Sequence, residues 1–104
     1  MFVVNVNESN YEKEVSNADK PVLLDFWAPW CGPCRQLAPV VEEVAKERSD
    51  IKVCKVNVDE AENLVHDFKI VNVPTIVVLK DGKEINKLVG VVPKTAILSA
   101  ITTS

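Results

Sequence analysis

The chain has 104 residues, 47% of them hydrophobic, which is typical of one compact globular domain spanning residues 1–104 and excludes a disordered chain. Its net charge of −3 disfavours a nucleic-acid partner, and no apolar run reaches the ~20 residues that cross a bilayer, so no membrane partner is expected. Three cysteines, an odd number with one close pair, favour a reducing cytoplasmic location over a secreted disulfide framework, although a processed organellar protein would look the same.

Hydrophobic periodicity predicts strands and helices that alternate along most of the chain. In chain order these are a strand at residues 2–6, a helix at 9–17, a strand at 22–27, a helix at 31–48, a strand at 51–58, a helix at 60–68, strands at 75–80 and 83–89, and a helix from 93. Ser9 and Glu12 form a capping box for the first helix, and Pro39 predicts a kink in the second. Asp81 and Gly82 are a strong hairpin signal between the last two strands.

This order predicts the α/β class, with one mixed sheet and helices on both faces. The crossover helices after the first two strands require parallel neighbours, and the tight final hairpin requires an antiparallel pair. Ligands of such a sheet are expected beyond the C-terminal ends of its parallel strands.

Cys31 and Cys34 lie where the second strand hands over to the long helix. Their spacing allows either a tight intramolecular disulfide or a shared metal ion. Cys31 is predicted at the helix N-terminus, where unpaired N–H groups and the helix dipole favour a thiolate. We therefore expect Cys31 to be the more exposed and the more acidic thiol, with Gly32 and Pro33 shaping the turn between the two.

A structural zinc site is the competing interpretation of this pair. Such a site needs about four ligands, and Cys54 and His66 are the remaining cysteine and histidine. Neither stands at the spacing of a zinc finger, so no metal is expected. Cys54 is interpreted as a buried small hydrophobic residue and His66 as an exposed helix residue.

Asp25 is a single carboxylate within an apolar strand, six positions before Cys31. It is either a strand-end group that reaches water or a buried carboxyl beneath the thiols. Burial would raise its pKa and allow it to exchange protons near neutral pH. Lys55, on the third strand, either tunes this carboxyl or is solvated.

Other residues near the cysteines suggest a surface for a partner. Trp30 is expected to be an exposed platform, whereas Trp27 is expected to pack in the core. Spacing alone predicts a trans bond before Pro74. Gly90, at the end of the fifth strand, would let a partner's backbone approach closely.

Residues 26–34 (FWAPWCGPC) resemble the active-site segment of the thioredoxin family almost letter for letter. The match continues from the first strand to the last helix. It pairs Asp25 with the family's buried acid, Pro39 with its helix kink, Lys55 with its lysine, residues 73–75 with its cis-proline segment and Gly90 with its late glycine. The resemblance implies a thioredoxin fold with sheet order 1-3-2-4-5, in which Pro74 is cis and lies opposite Cys31.

The resemblance also implies a general protein disulfide reductase. Cys31 would attack a substrate disulfide, and Cys34, assisted by Asp25, would resolve the mixed disulfide. The redox-active Cys31–Cys34 disulfide would serve without a bound cofactor, and an NADPH-linked thioredoxin reductase would regenerate the dithiol of a monomer. An extended segment of a disulfide-containing protein would lie on a surface formed by Trp30, Pro33, Val73, Pro74, Gly90 and Val91.

Two other functions use the same fold. An oxidase or isomerase would work at a higher potential, but Pro33 stands where isomerase-type members carry histidine. A binding module without turnover would not need both thiols and Asp25. This chain departs from the family at Lys69, where glycine is frequent, at Asn72, where a small residue is common, and at Val91, where alanine is common.

Overall fold

The structure is a computed structural model that describes residues 2–102. Over this range the chain forms five strands and three α-helices. The strands are β1 (Val3–Val6), β2 (Val22–Trp27), β3 (Lys52–Asn57), β4 (Thr75–Lys80) and β5 (Lys83–Val89). The α-helices are α1 (Gly32–Glu47), α2 (Glu62–Asp67) and α3 (Lys94–Thr102). No helix within residues 2–102 has the length and hydrophobicity to cross a membrane.

The strands form one mixed sheet in the order β1-β3-β2-β4-β5. Strands β1, β2 and β3 are mutually parallel, whereas β4 runs antiparallel to both β2 and β5. This confirms the predicted thioredoxin fold and its sheet order. The carboxyl ends of β2 and β3 lie side by side, which places the segment after β2 at the edge where ligands were expected.

Helices cover both faces of the sheet, as predicted. On one face, α1 and α3 pack on the sheet through buried apolar residues that include Leu23, Leu37, Val41, Ile76 and Ile97. On the other face, α2 and the segment before β2 pack on the sheet through buried residues that include Val15, Leu24, Phe26, Val56 and Leu64. Adjacent β2 residues such as Leu23 and Leu24 thus enter opposite cores, because side chains alternate along a strand.

The predicted capping box at Ser9 is wrong. The Ser9 hydroxyl donates to Asn7 Oδ1 at 2.6 Å, the same oxygen accepts the Ser9 backbone N–H at 2.9 Å, and Asn10 Oδ1 accepts the Asn7 N–H at 2.8 Å. The helix that follows is only a π-helical turn, Glu12–Ser16, without a side-chain cap. Asparagine side chains bind nearby backbone and form a turn that competes with helix initiation.

The helix predicted at residues 60–68 is divided into two pieces. A 3₁₀ turn, Val58–Glu60, precedes α2, and Ala61 between them has φ −140° and ψ 54°. Asn57 Oδ1 accepts the Asp59 N–H at 3.0 Å and so holds the 3₁₀ turn at the end of β3. By contrast, α1 extends through Pro39 from Gly32 to Glu47, and the kink at Pro39 stays a prediction.

Two turns have backbones with positive φ. Asp81 (54°) and Gly82 (77°) connect β4 and β5 and confirm the predicted hairpin. Lys69 (55°) follows α2, where the Ile70 N–H donates to Val65 O at 2.9 Å and the Lys69 N–H donates to His66 O at 3.1 Å. This is a Schellman termination, in which the left-handed position favours glycine.

Replacing Lys69 with glycine is expected to stabilise the fold by about 0.5–1 kcal/mol, because a residue with a Cβ is strained at this φ. Lys69→Ala is the matched control, since it removes the long side chain but keeps the Cβ. Urea unfolding monitored by circular dichroism gives both free energies. A glycine variant no more stable than the alanine variant would contradict this explanation.

Candidate active site

The two close cysteines lie at the junction of β2 and α1. The chain leaves β2 at Trp27, and the Cys31 N–H donates to Ala28 O at 3.1 Å in the turn that follows. Cys31 is the N-cap residue of α1, with φ −94° and ψ 110°, and Cys34 lies in the first helical turn. A disulfide joins them, with their Cα atoms 5.3 Å apart. The pair is therefore a disulfide at a helix N-terminus.

The backbone of this turn is directed at the Cys31 sulfur. The Cys34 N–H donates to Cys31 Sγ at 3.1 Å, so the sulfur occupies the acceptor position of an N-cap. The same N–H and the helix dipole would stabilise negative charge on a reduced Cys31. Exposure does not distinguish the two residues as expected, because each is only 4% exposed in the disulfide.

The segment before β4 lies against this sulfur. Val73 O is 3.7 Å from Cys31 Sγ, although the two residues are 42 positions apart. The Val73–Pro74 peptide bond is cis, as the resemblance implied, so the trans bond expected from spacing alone is wrong. The Gly90 N–H donates to Pro74 O at 2.9 Å. With φ 89° and open space where a Cβ would stand, Gly90 keeps this side of the segment accessible.

Exposed apolar side chains lie in the segment that carries the disulfide and in the segments before β4 and after β5. Trp30 is 67% exposed and Val71 86% exposed, and Pro33 and Val91 are also exposed. The exposure predicted for Trp30 is confirmed. Trp27 is half-buried and packs against Ala28 and the two cysteines, which confirms its predicted place in the core. Exposed apolar residues clustered around a reactive group are typical of an interaction surface.

Asp25 is buried, with 1% of its surface exposed, so the alternative in which it reaches water is wrong. Alternation along β2 places it on the face that α1 covers, two residues closer than Leu23 to the cysteine turn. Burial raises the pKa of this carboxyl from 3.8 to about 6, and the nearby charge of Lys55 opposes part of that rise. Asp25 can therefore exchange a proton near neutral pH.

Lys55 lies beside Asp25 across the parallel β2–β3 pair. It is half-buried, and its Nζ lies 4.7 Å from the centroid of the Trp27 ring. This cation–π contact holds the ammonium group near the buried carboxyl. Lys55 therefore tunes the pKa of Asp25, one of the two alternatives left open by the sequence.

The remaining candidates lie outside this constellation. Cys54 is fully buried on the opposite face of the sheet, where burial raises the pKa of its thiol to about 11. The His66 side chain is exposed on α2. Among residues 2–102, no three His, Cys, Asp or Glu side chains are grouped so that they could hold a metal ion.

Sequence reasoning missed Asp59. Its two carboxylate oxygens lie 3.3 and 3.2 Å from Trp30 Nε1, which donates to them across 29 positions. The Asn57-x-Asp59 pattern after a strand favours a local turn, but no sequence signal pairs Asp59 with Trp30. The sheet register brings them together.

Comparison with known proteins bears on what this constellation does. A family model described as Thioredoxin matches residues 2–103. The chain belongs to the thioredoxin family. Thioredoxin 1 of Synechococcus elongatus is 45% identical over 97 residues, covering 92% of this chain and 91% of that protein. Thioredoxin of Pyropia yezoensis is 42% identical over 102 residues, covering 97% of this chain and 95% of that protein.

A chloroplastic relative is similar as well. Thioredoxin M5 of Oryza sativa subsp. japonica is 44% identical over 100 residues, covering 95% of this chain and 58% of that protein. Thioredoxins act as protein disulfide reductases through a redox-active disulfide, and this chain carries such a pair at Cys31 and Cys34. The protein is therefore a thiol–disulfide oxidoreductase, and the alternative functions on the same fold are not favoured.

Proposed function

We propose that the protein is a general disulfide reductase of cytoplasmic proteins in which Cys31 is the nucleophile and Cys34 the resolving thiol. The hydrogen bond from the Cys34 N–H to Cys31 Sγ carries this assignment, because it favours a thiolate at Cys31. Gly32 and Pro33 link the thiols in the turn.

The reaction transfers two electrons in two exchange steps. Cys31 thiolate attacks one sulfur of the substrate disulfide, so that a mixed disulfide forms and the other substrate sulfur leaves as a thiolate that takes a proton. Cys34 thiolate then attacks Cys31 Sγ, forms the Cys31–Cys34 disulfide and releases the second substrate thiolate. The substrate is reduced to a dithiol as the protein is oxidised.

Asp25 serves in the second step as the group that accepts the Cys34 proton, directly or through water. Its position supports this role, since it lies on the face covered by α1, towards the cysteine turn. A carboxyl with a pKa of about 6 takes up a proton more readily than an ordinary aspartate does. Lys55 supports it by keeping that pKa from rising further.

The substrate lies as an extended segment across the apolar surface beside Cys31. Its members are Trp30, Pro33, Val73, Pro74, Gly90 and Val91. The backbone of Val73 pairs with the substrate like an added strand, since Val73 is outside β4 and its carbonyl already faces Cys31 Sγ. Because this surface is apolar, we expect the substrate segment to carry apolar residues where it contacts the surface.

The proposal also includes the domain organisation, the oligomeric state and the partner that regenerates the dithiol. Residues 1–104 act as one domain and as a monomer, and an NADPH-linked thioredoxin reductase returns the disulfide to the dithiol. Reduction of insulin disulfides tests the activity. Steady turnover by the wild-type protein, together with its loss in Cys34→Ser, separates a reductase from a binding module.

Alkylation tests the assignment of the nucleophile. The reduced protein treated with iodoacetamide at pH 7 is expected to be labelled first at Cys31, about tenfold or more faster than at Cys34, because only the thiolate reacts. Peptide mass spectrometry over time locates the label. Cys54 is the internal control and stays unlabelled while the protein is folded. Faster labelling of Cys34 would reverse the two roles.

A further inference from the structure

We propose that Asp59 is a positioning residue that holds the Trp30 indole in place to receive the substrate. The inference rests on the proposed docking role of Trp30. Trp30 directly precedes Cys31 and is 67% exposed, so packing alone does little to restrict its side chain. Its Nε1–H donates to both oxygens of Asp59, at 3.3 and 3.2 Å. Hydrogen bonds to a charged acceptor are stronger than those between neutral groups.

Asp59 is itself held by the end of the sheet. Its backbone N–H donates to Asn57 Oδ1 at 3.0 Å, and Asn57 is the last residue of β3, opposite Trp27 of β2. Hydrogen bonds thus connect the paired ends of β2 and β3, through Asn57 and Asp59, to the Trp30 indole. They fix the orientation of a side chain in the loop that carries the reactive cysteine.

The indole forms one wall of a groove that also includes Val73, the residue whose carbonyl lies beside the Cys31 sulfur. The groove has a volume of about 310 Å³, and its other walls include Val58, Ile70, Val71 and Val73. Val73 O is 3.7 Å from Cys31 Sγ, so a substrate segment that pairs with the Val73 backbone at the sulfur would contact a residue of this groove. If the Trp30 ring rotated freely, the groove would lack this wall in a fraction of the molecules. The apparent affinity for substrate would then fall in proportion to the fraction that keeps the wall.

The effect of Asp59 is therefore expected on substrate binding and not on the sulfur chemistry. Asp59→Ala should raise KM for insulin about three- to tenfold, the range expected when one solvent-exposed hydrogen bond is lost, with kcat changed less than about twofold. Asp59→Asn keeps an amide oxygen that accepts the indole N–H, so it should restore most of the loss. Failure of Asp59→Asn to restore KM would mean that the charge acts by itself, and would overturn the proposal.

A double-variant cycle tests whether Asp59 acts through Trp30. Trp30→Phe removes the N–H but keeps an aromatic ring, so adding Asp59→Ala to it should not raise KM further. If the KM increases of the two single variants multiply in the double variant, the proposal is overturned. The Trp30→Ala variant tests the proposed function separately. An unchanged KM in Trp30→Ala refutes docking on Trp30, whereas a raised KM there with an unchanged KM in Asp59→Ala refutes only the role of Asp59.

A readout without substrate completes the test. In NMR spectra of 15N-labelled protein, the Trp30 indole N–H signal is assigned by its absence from Trp30→Phe. It should exchange with solvent faster in Asp59→Ala than in the wild type or Asp59→Asn, while the Trp27 signal stays unchanged. Equal exchange in all three would show that Asp59 does not hold the indole, and would overturn the proposal.

Discussion

Replacing Cys34 with serine is expected to stop the reaction after its first step and leave the protein covalently joined to its substrate. Cys31 keeps its place at the α1 N-terminus and still attacks, but no second thiol lies close enough to break the mixed disulfide. Turnover of insulin should fall at least about a thousandfold, the scale seen when a group essential to covalent catalysis is removed. Non-reducing electrophoresis shows the joined species, and mass spectrometry of its peptides locates the bond.

Two matched variants complete this experiment. Cys31→Ser should show neither turnover nor a joined species, since the proposed nucleophile is gone. Cys54→Ala should resemble the wild type, because Cys54 is fully buried on the opposite face of the sheet. A joined species that forms through Cys34 in Cys31→Ser would show that the roles of the two cysteines are exchanged.

Asp25→Asn is expected to make the protein more stable and slower at neutral pH. The variant removes a buried carboxyl whose pKa is raised from 3.8 to about 6, which corresponds to about 3 kcal/mol of unfolding free energy at pH 7. It also removes the group proposed to take the Cys34 proton, and release of substrate from the mixed disulfide should slow about 100-fold or more. Urea unfolding and single-turnover kinetics measure the two effects.

The pH dependence of the unfolding free energy shows whether burial of the Asp25 carboxyl is the reason that Asp25→Asn is more stable. Below pH 3.8, Asp25 is protonated in both the folded and the unfolded wild-type protein. Its ionisation therefore does not lower the unfolding free energy of the wild type relative to Asp25→Asn. As pH rises from 3.8 to about 6, the unfolded chain loses this proton more readily, and the stability of the wild type falls relative to Asp25→Asn. Above about pH 6 the difference is constant.

Lys55→Met provides the control for this assignment. Lys55 lowers the pKa of Asp25, so its loss should move the wild-type pH dependence of substrate release to higher pH, while Asp25→Asn should have no such dependence in this range. A stability difference between wild type and Asp25→Asn that does not vary between pH 4 and 7 would show that Asp25 is not the buried titrating group. An unchanged rate of release would leave it a purely structural residue.

Much of the fold follows from local sequence patterns. The bounds of β2, β4 and β5 are those predicted, because runs of β-branched and apolar residues are bounded by a proline or by the Asp81–Gly82 turn. The N-terminal helix was predicted poorly because Asn7 and Asn10 form a competing turn. Local patterns describe local hydrogen bonds, and they fail where two local structures compete.

The active-site residues divide in the same way. Cys31 and Cys34 are three positions apart in the chain, so their spacing and the strand–helix junction already indicate their chemistry. The sequence left open whether Asp25 is buried, and it contained no sign that Asp59 holds Trp30. Burial of Asp25 requires α1 to fold back over β2, and the Trp30–Asp59 contact requires β3 to lie beside β2. These features depend on which distant segments the sheet brings together, and only the tertiary structure decides that.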